Sequence, residues 1–173
     1  MKHIHFDVES DGFYGAYWAC KDGSDCTVIA MLGDDPEDYM ARSAVKWLIR
    51  LGVNVLTMSP GKKDYGHHNY PLERIEKAMA WLKLHGNEKI GIAGASTTGT
   101  LALTAASIFS DISLTIAMTP RSAVFAISLS VVLIAPLAFS RISRSLFLIS
   151  KNSDSLYNAA FTLPLLRQLC SLL

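Results

Sequence analysis

The chain has 173 residues, half of them hydrophobic, and a formal net charge of +1. That length and composition suit one folded domain with a sizeable core and exclude intrinsic disorder. No basic block is longer than Lys62-Lys63, so nucleic acid is not an expected partner.

The start, MKHIHFDVES, carries charges where an export signal needs an apolar run, and a cytoplasmic location is expected. Residues 2–8 alternate, with Ile4, Phe6 and Val8 against His3, His5 and Asp7, which predicts a half-exposed strand. His3 and His5 share a face, as two metal ligands would, but the sequence offers no third, and no metal is expected. GFYGAYWA and CTVIAML flank KDGSD, predicting a hairpin that brings Cys20 near Cys26. With Cys170 the cysteines number three. Their spacing fits no zinc site, and reduced thiols are expected.

GDDPEDY predicts a helix start with Asp35 as N-cap, Pro36 as first helical residue, and Glu37 and Asp38 in the first turn. Met40, Ala44, Trp47, Leu48 and Leu51 would form its apolar side, and Gly52 would stop it. VNVLTMS reads as a buried strand of the parallel kind. After the loop PGKKDYGHHNY, Pro71 opens a second helix with Leu72, Ile75, Met79 and Leu82 as its stripe, ending at Gly86. KIGIAG is the next strand, TTGTLALTAASIF a helix apolar almost all round, and ISLTIAMT another strand. Apolar strands separated by helices imply βαβ units on a parallel sheet. VNVLTMS, KIGIAG and ISLTIAMT are expected as adjacent parallel strands, with the one holding Gly94 central and its helix packed on it.

From Arg121 the composition changes. The last 53 residues hold twelve Leu and ten Ser, one Asp, and no Gly, His, Glu, Met or Trp. Residues 1–120 are therefore taken as the front half of an α/β domain, and 121–173 as an apolar tail. Its stretch 122–140 is long and apolar enough to span a bilayer. Pro136 and basic residues at both ends blur any orientation, so a membrane is a possible partner only through this stretch. The alternative, which the lack of glycine and helix-stop signals favours, is a shifted reading frame or truncated end.

KIGIAGASTTGTLALTAAS places Ser96 between a strand and a helix, and three readings compete. In a nucleophile elbow, glycines two before and two after the serine let a strained turn pass its neighbours. Gly94 fits, but Thr98 stands in the second position and the next glycine is Gly99. A phosphate loop has the right glycine separation, yet Thr100 and Leu101 replace the lysine and the metal-binding hydroxyl, so no nucleotide cofactor is expected. The third reading is a plain helix cap.

An ordered series extends beyond the turn: LGDDPEDY after a strand, ARSAVKWLIRLG, VNVLTMSP, and PLERIEKAMAWLKLHGNEKIGIAGASTTGT. Over about residues 26–120 it resembles the C-terminal domain family of acyl-CoA thioester hydrolases and bile-acid-CoA:amino-acid N-acyltransferases, within the α/β-hydrolase superfamily. The resemblance implies a parallel-sheet α/β-hydrolase sandwich, here incomplete, with an N-terminal hairpin. It implies a small acyl ester or thioester as substrate, without a cofactor. It places the nucleophile at Ser96, one oxyanion-hole N–H at Thr97 and the other at Gly33 or Asp34. Asp34 and Asp35 are unwelcome beside an oxyanion unless they point outward. A serine, where family members also use cysteine, favours hydrolysis over transfer to an amine.

In that superfamily an acid and then a histidine follow the serine along the chain. After Ser96 only Asp111 and Asp154 remain as acids, and no histidine follows. Asp111, before the last clear strand, comes too early. His67 and His68, in the loop after VNVLTMSP, are the alternative base, set against a reading as solvated loop histidines. Lys62 and Lys63 would meet a phosphorylated carrier such as coenzyme A or simply be solvated. The chain is expected to be inactive as a serine hydrolase. The competing function is a non-catalytic α/β binding or membrane-associated module in which Ser96 only caps a helix.

Overall fold

The structure, a computed structural model, describes residues 3–60, 69–120, 129–134 and 147–148. Its elements run β1 (Ile4–Phe6), α1 (Val8–Asp11), β2 (Gly15–Trp18), β3 (Cys26–Met31), α2 (Tyr39–Arg50), β4 (Asn54–Met58), α3 (Leu72–Leu84), β5 (Lys89–Ala95), α4 (Thr97–Ile108), β6 (Ile112–Pro120), β7 (Leu129–Ile134) and β8 (Phe147–Leu148). One mixed sheet has the order β1-β2-β4-β3-β5-β6-β7-β8. β4, β3, β5 and β6 are parallel, while the outer pairings β1–β2, β2–β4, β6–β7 and β7–β8 are antiparallel. The chain is an α/β protein.

The expected parallel strands are parallel, and β5 lies centrally. Their adjacency is corrected: β3 lies between β4 and β5. β3 is buried at all six positions, so it needs cover on both faces and strand neighbours on both edges. For the same reason the hairpin at KDGSD does not form. β2 instead pairs with β1, Ile4 opposite Tyr17, and with β4, so the N-terminal antiparallel pair is β1–β2. Cys20 and Cys26 are both buried, and they are not joined in a disulfide. The first strand is also shorter than expected. Asp7 accepts the Glu9 N–H at 2.8 Å and caps α1, which Gly12 ends with φ 79°.

Two apolar layers cover the sheet. On one face α2 packs Val45 and Leu48 against Ala16, Trp18, Val28, Val55 and Leu114. On the other, α3 and α4 pack Ile75, Met79, Leu82, Ala102 and Ala105 against Ile29, Leu56, Ile90 and Ile92. The stripe of α3 is the expected one. That of α2 is turned: Ala41, Val45 and Leu48 are buried and Met40 is exposed. The helix also starts later than expected, with Asp38 and not Asp35 as N-cap. Pro36 lies in the preceding turn, closed by Asp38 N–H to Asp35 O at 3.2 Å.

The sheet's β1 edge is tied to this turn through Glu37. Its Oε1 lies 3.0 Å from His3 Nε2 and 3.1 Å from His5 Nδ1, and its Oε2 3.1 Å from an Arg42 nitrogen. His3 stacks on Trp18 and His5 meets Tyr14 edge-on. Burial works against ionising Glu37, but the hydrogen bonds and charges of His3 and then His5 outweigh it and hold the carboxyl below its ordinary value of 4.5. The folded protein therefore binds this proton less readily than the unfolded chain. The stabilisation is present above that ordinary value and is lost as pH falls through the lower folded one. Glu37→Gln is expected to cost less than about 1 kcal/mol at neutral pH. In urea titrations its deficit should vanish in acid below the folded value. A deficit constant down to that acid range would show that the charge is not the cause.

Of residues 122–140 only Leu129–Ile134 are described, as β7. The rest of that stretch, His67, His68, Lys62, Lys63, Asp154 and Cys170 lie outside the described residues. Among the described residues no helix is long and apolar enough to cross a membrane.

Candidate active site

β5 runs fully buried from Ile90 to Gly94 and ends at Ala95. Ser96 follows at the carboxyl edge, and α4 begins at Thr97. The Ser96 backbone has φ 57° and ψ −120°, a left-handed region that a side chain normally avoids, at a cost of about 1–3 kcal/mol. Serine at a relaxed N-cap has extended backbone and turns its oxygen to the helix N–H groups. Ser96 does neither: its side chain makes no capping hydrogen bond, and the residue is exposed.

The surroundings over-determine this turn. A Cβ on Gly94 would land on the carbonyl carbon and oxygen of Thr98, and 2.9 Å from Gly99 N. The first turn of α4 therefore lies directly on the β5 backbone, and only glycine fits there. Thr98, where a second glycine was expected, is accommodated by being bonded. It is 4% exposed. Its Oγ1 accepts the Ala95 N–H at 2.9 Å and shares its proton between Met31 O at 2.7 Å and Ala95 O at 2.8 Å. A hydroxyl thus stitches the end of β3 to the elbow, and the side chain supplies what the sequence pattern lacks. Thr100 N–H to Ser96 O at 3.2 Å closes the first helical turn.

The parallel register aligns the two loops named by the sequence. Met31 pairs with Gly94, so Gly33 and Ser96, each two residues further, leave neighbouring strands side by side. Gly33 has φ 85°. The peptide joining it to Asp34 is held at both ends. Ser59 Oγ, fully buried at the end of β4, donates to Gly33 O at 2.9 Å, and Asp34 N–H donates to Asp38 Oδ2 at 2.7 Å. The Asp34 N–H, one of the two donors expected from this loop, is thus bonded to a carboxylate here. Asp35 is not the expected cap: Tyr14 OH donates to its Oδ2 at 3.1 Å, and its Oδ1 accepts Glu37 N–H at 3.0 Å.

No described histidine is positioned to serve Ser96. His3 and His5 are held by Glu37. His85 follows α3 at the amino edge of the sheet and stacks on Trp81 at 3.9 Å. Asp111 precedes β6 at that same far edge and lies 2.6 Å from Lys83 Nζ. The histidine pair acquires from Glu37 the third polar partner that the sequence did not show. Even so, no group of three His, Cys, Asp or Glu arranged to hold a metal occurs among the described residues.

Asp38 and Ser59 were not singled out in the sequence. Asp38 carried a signal, since it stands three residues before Ala41 as an N-cap should, but Pro36 pointed to Asp35 instead. Ser59 carried none, being one polar residue at the end of an apolar strand.

No family model matches the chain, and no curated protein does. Among solved structures it is similar to the Pyrococcus furiosus esterase Pf2001 in two crystal forms. The TM-scores are 0.48 and 0.47 at 19% and 20% sequence identity, over 69% and 68% of this chain. The match spans 56% and 57% of the esterase, so the chain corresponds to little more than half of that protein's length.

Proposed function

We propose that Ser96 is the nucleophile of an α/β-hydrolase-type acyl ester or thioester hydrolase. The observation that carries this reading is the serine's backbone: φ 57° and ψ −120° in an exposed residue at the carboxyl edge of a central parallel strand, with no capping bond. Strain held by Gly94 and Thr98 points to a presented hydroxyl and not to a helix cap. The competing binding-module reading needs Ser96 to cap, and it does not.

In the proposed reaction Ser96 Oγ adds to the acyl carbonyl, and the tetrahedral oxyanion is met by the Thr97 N–H, at the helix N-terminus, and by a donor from the Gly33 loop. Collapse expels the alcohol or thiol, and water then releases the acid. The thioester preference rests on the resemblance of residues 26–120 to the acyl-CoA family, and Lys62 and Lys63 would meet the carrier's phosphates.

Proton transfer is the weak step. No histidine follows Ser96 in the 173 residues, and the three described ones are engaged elsewhere. A serine without its base retains only the contribution of oxyanion hole and binding, on the order of 10³–10⁴ over water. This chain is therefore proposed to be an inefficient hydrolase, with 121–173 read in a shifted frame that the encoding nucleotide sequence would reveal.

Two measurements test the reading. Slow stoichiometric acylation by p-nitrophenyl acetate should be located on Ser96 by peptide mass spectrometry and be lost in Ser96→Ala; label elsewhere removes the nucleophile. Steady-state hydrolysis of short acyl-CoA and p-nitrophenyl esters should stay near background in both proteins. Efficient turnover lost in Ser96→Ala would refute the missing base and point to His67 or His68.

A further inference from the structure

The Gly33–Asp34 peptide lies beside the elbow by register, yet its N–H donates to Asp38 Oδ2 at 2.7 Å. Asp38 Oδ1 meanwhile accepts the Ala41 N–H at 2.8 Å as the N-cap of α2. The two oxygens thus do separate jobs, one for the helix and one for the loop. Gly33 is what lets the carboxylate in: a Cβ there would fall on both Asp38 oxygens and 2.6 Å from their carbon. Ser59 holds the other end of the same peptide through Gly33 O, so the plane cannot swing freely. We propose that Asp38 is a latch on the second oxyanion position: its carboxylate occupies the Asp34 N–H in the resting protein and must be displaced before that N–H can meet an oxyanion on Ser96. An anion already seated on the donor both uses its hydrogen bond and repels a second negative charge. This inference rests on the reading of Ser96 as nucleophile, through which Asp38 acts as a positioning residue.

Asp38→Ser and Asp38→Asn separate latch from cap. Serine and asparagine both serve as N-caps, so each keeps the Ala41 bond. Serine has no second acceptor, and asparagine with Oδ1 on Ala41 turns its NH₂ toward Asp34. Phenylboronic acid is the probe. Ser96 Oγ adds to boron while its proton goes to buffer, leaving a tetrahedral boronate anion that needs the oxyanion donors but no catalytic base. Binding is read by boron NMR, and the Asp34 amide by proton NMR.

Both variants are expected to bind the boronate at least tenfold more tightly than the wild type, since one such donor changes rates by about 10²–10³. The Asp34 amide should move upfield, and Ser96→Ala should abolish the adduct in every background. Glu37→Gln, which removes a nearby charge without touching Asp34, should leave affinity unchanged. Adduct formation that depends on Ser96 but is unchanged or weaker in both Asp38 variants overturns the latch and leaves the nucleophile reading standing. An equal gain in Glu37→Gln also overturns it, in favour of general charge. No Ser96-dependent adduct in any protein overturns both.

Discussion

Replacing Gly94 with alanine is expected to cost about 3 kcal/mol or more, at the upper end of what overpacking costs. Most core insertions are absorbed by a side chain that changes rotamer. Here the added methyl meets backbone, the carbonyl of Thr98 and the nitrogen of Gly99. Relief therefore requires the first turn of α4 to lift off β5. That movement would break the Thr98 bonds to Met31 and Ala95 and relax the strained Ser96 backbone. Two readouts should move together: the urea midpoint should fall steeply, and the p-nitrophenyl acetate label on Ser96 should disappear in whatever folded protein remains. Gly91→Ala is the control on the same strand. Its Cβ would meet nothing closer than 3.4 Å, so it should be milder and keep the label. If Gly94→Ala unfolds no more easily than Gly91→Ala, the close approach is not what holds the elbow.

Much of this fold was legible because its signals were local. The α3 stripe of Ile75, Met79 and Leu82, and the buried run of β4, follow from periodicity and hydrophobicity within one element. The strand–serine–helix turn was equally visible, and so was the need for glycine at 94. What failed was pairing. KDGSD looks like a hairpin turn, but two strands compete for each edge, and β4, buried at all five of its positions, takes both β2 and β3 as neighbours.

The site was less legible because its decisive contacts join residues far apart in sequence. Thr98 reaches Met31 across 67 positions, and Ser59 reaches Gly33 across 26. A threonine at the second-glycine position reads as a defect in the pattern until its three bonds are seen. The choice of Asp38 over Asp35 as cap is similar. Four acidic residues stand between positions 34 and 38, any of the three aspartates can cap, and local preference favoured the one before proline. Only the position of the Asp34 N–H, set by tertiary packing, gives Asp38 its second bond.

The other large effect is expected at the opposite end of the sheet, where Asn87 is 1% exposed. Its Oδ1 accepts from Thr27 Oγ1, from Asn54 Nδ2 at 2.9 Å and from Tyr17 OH at 3.2 Å. Its Nδ2 donates to Leu82 O at 3.1 Å and to His85 O at 3.3 Å. Asn54 extends the network by accepting Cys20 N–H at 2.9 Å and donating to Ser24 O at 2.8 Å. One amide thus joins β2, β3, β4 and the end of α3 where their backbones would otherwise leave polar groups in an apolar layer. Asn87→Leu keeps the volume but strands a hydroxyl, an amide and a phenol without their shared acceptor. Each buried group left unpaired costs about 1–3 kcal/mol, so a loss of roughly 3–5 kcal/mol is expected, partly offset by the added apolar area. Tyr17→Phe, which removes the longest of the three bonds at a part-buried site, should cost no more than about 1 kcal/mol. Because Asn87 lies at the amino edge and Ser96 at the carboxyl edge, Asn87→Leu should lower the urea midpoint yet keep Ser96 reactive to p-nitrophenyl acetate in the folded fraction. A loss under 1 kcal/mol would mean that water replaces the amide; a normal fold with an unreactive Ser96 would mean that the two edges are coupled through β5.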